Sequence, residues 1–333
     1  MKNKVALIAC SNGYGHIRRL LLLAQELDLY NDIQTTLLAP VKVVNLLAKK
    51  LKISSPKLID FDTRTSQSNW TNGSSNYWYK KIPDLKSYNT VVSDNLIEVL
   101  YIYPDAWLSG SFFWHESLKN FPLKQKRESR KLLQMCKPRM VSSKLFSSSY
   151  LDSYTNLYEV GLFSNYIDHN IKFNRNRDIL IATGKGGEVN SVAKSFINSL
   201  VDLKDREFDK LWVEPTLLPE KHPEWMIKAT FTVDMYKRIA AAIIRPGVGT
   251  ATDALMGGAK IFPFYEDNNN EMIRNVYLLS SNNYSSSTSN IISAWADAMI
   301  YLENELLQRE HINNINNLNI SGAKEFAKII LDL

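Results

Sequence analysis

An unbroken apolar run over residues 5–10 (Val-Ala-Leu-Ile-Ala-Cys) leads into a glycine-containing loop, after which Leu20, Leu21, Leu23, Ala24 and Leu27 recur at helical spacing. This pattern predicts a buried strand over 4–10, a loop and a helix with one apolar face. Further strands are expected at 35–39, 58–61, 90–93 and 106–109, and a helix at 42–51. A polar stretch, 164–177, interrupts the pattern with Asn165, Asp168, Asn170, Asn174, Arg175, Asn176 and Arg177, and then the same grammar restarts. Residues 178–183 predict a new first strand, 184–187 its loop and 190–203 the next helix. Strands follow at 210–214, 225–230, 242–245 and 260–263, with helices at 234–241, 250–257, 291–306 and 322–333. Alternation of this kind predicts helix-covered parallel sheets. The expected organisation is a Rossmann-like domain over 1–163, a linker over 164–177 and a second Rossmann-like domain over 178–333, its last helices able to pack back on the first. Two doubly wound α/β domains facing each other enclose a cleft at the carboxyl edges of their sheets, where such folds bind ligands.

Composition narrows the class. With 45% hydrophobic residues and few glycines and prolines the chain can bury real cores, which excludes disordered and collagenous readings. Only Cys10 and Cys136 are present, too few for a disulfide framework or a cysteine metal cluster, and this fits a reducing compartment, the cytoplasm. No apolar run reaches the ~18–20 residues of a membrane span. The net charge of +6 is local: segment 119–144 holds nine of the 40 Lys and Arg residues but one of the 34 Asp and Glu, leaving −2 elsewhere. Nucleic acid is therefore not an expected partner. The segment reads as a solvated helix face around 127–135, or as a patch for peripheral contact with an anionic membrane or charged acceptor.

Four stretches carry candidate chemistry. In Ser11-Asn12-Gly13-Tyr14-Gly15-His16, Gly13 and Gly15 let backbone approach a ligand, while the spacing matches neither a dinucleotide fingerprint nor a P-loop. His16 offers an imidazole suited to general base catalysis, or it packs the helix start. Val91-Val92-Ser93-Asp94 ends a strand on a carboxylate that either orients His16, bonds a sugar hydroxyl or caps a helix; His115 is a second, weaker candidate one strand on. The loop Thr183-Gly184-Lys185-Gly186-Gly187 presents amides suited to phosphate. Most specific is 243–275: Arg245-Pro246-Gly247-Val248-Gly249-Thr250 enters a helix, Asp253 follows one turn later, and Glu271 and Asn275 open another helix. This is a layout for a nucleotide diphosphate, with amides at the phosphates and a carboxylate at the ribose.

These motifs resemble the GT-B glycosyltransferases, in the branch of the lipid II-forming N-acetylglucosaminyltransferase and the UDP-glucuronosyltransferase-like enzymes. The resemblance spans the chain in order, and Arg245, Pro246, Gly247, Gly249, Thr250, Gly258, Pro263, Glu271 and Asn275 match the family's donor-site signature. It implies a glycosyltransferase acting on a nucleotide-diphosphate sugar, UDP-sugar first, with the acceptor in the first domain and the donor in the second. His16 and Asp94 take the catalytic positions. Gly186, Gly187 and the matched donor residues hold the donor, with Asp253 in place of the family's ribose-binding Glu, and Met272 stands where the family has Gln. The acceptor, a glycan, a lipid-linked or a small molecule, falls to Gly13, Gly15, His115 and the aromatic loop 63–81 with Trp70 and Trp78. No cofactor or metal is implied, and Asp60-Phe61-Asp62 is discounted as a metal pair because this branch neutralises diphosphate with helix N-termini. Ile17-Arg18-Arg19 also resembles the UDP-sugar hydrolase of pseudaminic acid biosynthesis, so a nucleotide-sugar hydrolase is the rival reading, and a non-catalytic sugar- or nucleotide-binding protein a third.

Overall fold

Val5, Ala6, Leu7, Ile8 and Ala9 are wholly buried, because strand β1 (Asn3–Ala9) runs through the middle of a sheet covered on both faces. In the computed structural model the described residues are 3–63, 78–118, 121–165, 171, 177–184 and 187–332. The chain forms two compact units: Met1–Asn165 with Asn319–Leu333, and Tyr166–Leu318.

In the first unit β1 is followed by α1 (Tyr14–Leu27), β2 (Ile33–Ala39), α2 (Val41–Leu51), β3 (Lys57–Asp60), β4 (Thr90–Asp94), β5 (Trp107–Ser109), α3 (Trp114–Ser117), α4 (Leu123–Cys136), β6 (Arg139–Ser143), α5 (Leu151–Tyr154) and β7 (Asn156–Val160). The strands pair in parallel in the order β3-β2-β1-β4-β5-β6-β7. Successive side chains of a strand face opposite ways. Val5, Leu7 and Ala9 therefore pack with Leu20, Leu23 and Leu27 of α1, while Ala6, Ile8 and Cys10 pack with Leu132 and Leu133 of α4. The order reverses between β1 and β4, the point at which doubly wound sheets bind ligands.

The second unit contains β8 (Asp178–Ala182), α6 (Gly187–Leu200), β9 (Leu211–Val213), β10 (Met226–Lys228), α7 (Val233–Tyr236), β11 (Ile239–Ile244), α8 (Val248–Gly257), β12 (Lys260–Pro263), α9 (Asn270–Ser281), α10 (Ile291–Glu303) and α11 (Glu305–Ile315). Its sheet, β10-β9-β8-β11-β12, is also parallel. The helix expected over 234–241 ends at Tyr236, and Ile239, Ala240 and Ala241 belong to β11 instead. Placement between β8 and β12 overrides the helix propensity of the three alanines. The helix expected over 291–306 is interrupted by Asn304, whose side chain accepts a hydrogen bond from the Leu307 amide at 3.1 Å and so starts α11. Strands β6 and β7 complete the first sheet without a sequence prediction. Among the described residues no helix is long and apolar enough to cross a membrane.

The last helix, α12 (Gly322–Ile330), belongs to the first unit and lies against α1. Phe326, fully buried, meets Phe163 and Trp107 at ring-centroid distances of 6.3 and 6.4 Å. Glu325 accepts from the Gly161 amide at 2.8 Å, and the Leu162 amide donates to the Asn319 carbonyl at 2.7 Å. The backbones approach so closely that a Cβ on Gly322 would overlap the Gly161 carbonyl. Gly322→Ala is accordingly expected to lower stability by about 1–3 kcal/mol, the usual penalty of overpacking. Urea denaturation checks this, and an unchanged midpoint would contradict the tight packing.

Candidate functional site

In the first unit the site begins where β1 stops. Gly13, at φ 147°, turns the chain into α1, and among the described residues no side chain caps that helix. Register places Ala9 of β1 beside Asp94 of β4, and Asp94 beside Ser109 of β5, so three strand ends converge below the first turn of α1. His16 Nδ1 lies 2.7 Å from Asp94 Oδ1. The other carboxylate oxygen accepts from Ser109 Oγ at 2.8 Å and pairs with Arg19 Nε at 3.1 Å. Asp94 is fully buried and His16 Nδ1 is its neighbour on one side only, so its charge is neutralised by Arg19 rather than by solvent. A carboxylate can only accept, which makes Nδ1 the protonated nitrogen of His16 and Nε2 the acceptor. The ring of Trp114 lies 6.0 Å from the imidazole. Below the loop, Ser11 and Thr63 exchange reciprocal side-chain to backbone hydrogen bonds of 2.9 and 3.1 Å, tying the segment after β1 to that after β3.

His115 is not part of this cluster. It is buried, stacks on Phe113 at 5.5 Å and meets Phe121 edge-on. Burial pushes its imidazole down to about 4, only partly offset by the charge of Glu116. Trp70 lies outside the described residues, as does Gly186; Trp78 opens a short helical turn over Trp78–Lys80. Asp60 accepts from the Val41 amide at 3.1 Å, at the start of α2. In the basic segment, Glu116 binds Arg130 at 2.6 Å and Lys126 at 3.0 Å, whereas Lys124, Arg127 and Lys131 are exposed.

In the second unit β8 and β11 each lead through a turn into a helix. Thr183 and Gly184 donate their amides to one oxygen of Glu214 at 2.8 and 2.9 Å, with Gly184 at φ 62°, and α6 starts at Gly187. After β11, Arg245, Pro246 and Gly247 precede α8. Among the described residues no side chain caps α8, so the amides of Val248, Gly249 and Thr250 point outward without an intrahelical partner. Among the described residues a Cβ on Gly247 would have nothing within 4 Å, which leaves space in front of them. Thr250 and Asp253 lie three residues apart on one face of α8, both half-buried.

The remaining signature residues hold this turn in place. Arg245 Nε bonds both oxygens of Glu266, at 3.0 and 2.9 Å. Asn275, fully buried, donates to the Pro246 carbonyl at 2.9 Å. Glu271 lies half-buried in the first turn of α9, and Met272 faces the core with 1% exposure. Sequence reasoning quoted Arg19 only within Ile17-Arg18-Arg19, without a role, and gave no role to Ser109, Glu214 or Glu266. Ser109 and Glu214 carried a signal, since each ends a predicted strand, Ser109 next to that of Asp94; Glu266 lies in a polar loop with no distinguishing spacing.

No protein-family profile matches the chain, and no curated protein is similar to it in sequence. Solved structures are similar over its whole length. Arabidopsis thaliana UGT89C1 complexed with quercetin aligns with a TM-score of 0.67 and 10% identity, covering 99% of this chain and 98% of that one. The glycotransferase of kitacinnamycin gives 0.66 and 9%, covering 100% and 99%. Acinetobacter baumannii MurG gives 0.56 and 13%, covering 99% and 100%. The chain has the GT-B fold. In GT-B terms the His16 and Asp94 cluster lies at the switch point of the first sheet, and the uncapped α8 follows the β11 strand of the second.

Proposed function

We propose that this chain is a glycosyltransferase that moves a sugar from a nucleotide-diphosphate sugar, UDP-sugar by preference, to a hydroxyl of a glycan, a lipid-linked or a small-molecule acceptor. The observation that carries the reading is the 2.7 Å hydrogen bond from His16 Nδ1 to buried Asp94, which leaves Nε2 ready to accept a proton. The acceptor hydroxyl gives its proton to Nε2 as its oxygen bonds the anomeric carbon, and the bond to the diphosphate breaks. Charge gathering on the diphosphate is stabilised by the amides of Val248, Gly249 and Thr250 and the dipole of α8. Asp253 accepts from the ribose hydroxyls. Support for the donor class comes from the UGT89C1 structure complexed with UDP-L-rhamnose, which also shares the fold. The exposed Lys124, Arg127 and Lys131 of α4 fit peripheral contact with an anionic membrane at its cytoplasmic face.

Asp253→Ala is expected to weaken UDP binding by roughly 1–3 kcal/mol, the penalty for leaving buried hydroxyls unpaired. Unchanged affinity by calorimetry would remove Asp253 from the ribose. Because helix amides serve the diphosphate in this reading, turnover is expected to survive EDTA; loss restored by magnesium or manganese would return attention to Asp60 and Asp62. Product analysis with UDP-, GDP- and CMP-sugars tests the reading as a whole. Free sugar released equally with and without acceptor would replace transfer by hydrolysis.

A further inference from the structure

Phe163 follows the end of β7 closely, and two consecutive residues of α1 hold it at two points. Arg18 Nη1 donates to its carbonyl at 2.8 Å, and the guanidinium carbon of Arg19 lies over its ring, 5.7 Å from the centre. Helix α12 holds the same segment. Phe163 bridges Ser321 in antiparallel fashion, the Leu162 amide donates to the Asn319 carbonyl at 2.7 Å, and the Gly322 amide donates to the Leu162 carbonyl at 3.1 Å. The Phe326 ring meets that of Phe163 edge-on. Both rings are buried, so packing fixes the face that Arg19 rests on.

Arg19 is where this support meets the chemistry. Its Nε lies 3.1 Å from Asp94 Oδ2, the oxygen that also accepts from Ser109, while Oδ1 faces His16 Nδ1. The Asp94 side chain is wholly buried and that of Arg19 is 11% exposed, so water cannot answer the carboxylate charge and the orientation of the pair depends on where the guanidinium sits. A free arginine side chain samples many rotamers. A ring face beneath the guanidinium selects among them, through an attraction that strengthens as water is excluded.

We infer that Phe163 is a positioning residue for the base. Helix α12 fixes the ring, the ring fixes the guanidinium of Arg19, and Arg19 holds the Asp94 carboxylate in the orientation that keeps the His16 proton on Nδ1. The last helix of the chain thus takes part in preparing Nε2 as an acceptor. The inference rests on the proposed function only in naming His16 as the base; the chain of contacts from α12 to the imidazole lies wholly within the first unit.

Proton NMR of the full chain with 15N-labelled histidine tests this, by following the exchange of the His16 ring proton with water; the signal is assigned by its absence from His16→Ala. In the wild type that proton should sit on Nδ1 and exchange slowly. Phe163→Leu keeps apolar bulk against Phe326 but withdraws the ring face, and should speed the exchange about 3–30-fold, the range a cation–ring contact supplies. Arg19→Met should speed it at least as much. Because the effect passes through the guanidinium, adding Phe163→Leu to Arg19→Met should change the rate by less than about twofold. Phe163→Tyr, which retains the ring face, should stay near the wild-type rate. Phe163→Met and Arg19→Gln take over if either variant fails to fold. No substrate enters the measurement, so undiminished turnover in His16→Ala would remove the base and leave the coupling standing. A wild-type ring protonated on Nε2, unchanged exchange in Phe163→Leu, or an equal further acceleration on the Arg19→Met background would overturn the inference and leave Phe163 as packing for α12 alone.

Discussion

His16→Ala should lower kcat by about 10²–10⁴-fold, the range a positioned general base supplies, while UDP binds nearly as before. The split follows from placement: the imidazole belongs to the first sheet, and the amides and carboxylate proposed for the nucleotide belong to the second. Asp94 holds Nδ1 and is itself held by Ser109 and Arg19, so the ring is oriented before substrate arrives. Asp94→Asn should therefore also reduce kcat, because an amide donor can face Nδ1 and Arg19 loses its counter-charge. A change confined to KM, or loss of thermal stability in step with activity, would mean that His16 only secures the start of α1.

The second large effect is on stability in acid. His115 is held neutral in the fold at about 4, against its ordinary 6.5, because burial disfavours its charged form. Glu116 raises it, while Lys126 and Arg130 lower it further. Above pH ~6.5 the residue is neutral whether the chain is folded or not, and nothing is lost. As pH falls from ~6.5 to ~4 the unfolded chain takes up a proton that the fold refuses, and about 3 kcal/mol of stability is lost. Glu116 extends the decline. Burial opposes its charge, but hydrogen bonds from Arg130 and Lys126 overcome this and hold it down to about 2, so its stabilising contribution fades as pH drops from 4.5 toward 2. Urea unfolding at pH 7.5 and pH 5 should show the loss in the wild type and a smaller one in His115→Leu. His311 acts in the same sense from the second unit, so the difference between the two proteins isolates His115. Equal losses would rule out the buried neutral imidazole as the cause.

Elements whose pattern is local were legible in the sequence. The apolar run of β1, the leucine face of α1 and the Gly-Thr entry into α8 each announce themselves within a few residues. What depends on a distant partner was not. The alanines of β11 form a strand only because β8 and β12 flank them, and the serines of β6 gave no alternation to read. At the candidate site the sequence offered His16 and Asp94 as strand-end chemistry, 78 residues apart, and left open whether they meet. It could not offer the Glu266 carboxylate that occupies Arg245, because loops carry no period from which a contact can be inferred, and it placed Glu214 at a strand end without its partners, the Thr183 and Gly184 amides. Asn275 matched the signature, yet its bond to the Pro246 carbonyl gives it a positioning task that residue type alone does not reveal.

The return of α12 to the first unit makes the second unit an insertion between β7 and α12. On the ribosome, residues 166–318 are therefore synthesised while the first unit still lacks the helix that covers Phe163 and one end of α1. At translation rates of ~5–20 residues per second that interval is roughly 8–30 s, long beside the folding of most domains. The inserted unit can close as soon as it emerges, whereas the first waits with an apolar groove uncovered. Nascent chains halted before residue 322 should hence engage hydrophobic-binding chaperones, and a peptide carrying residues 319–330 should release them.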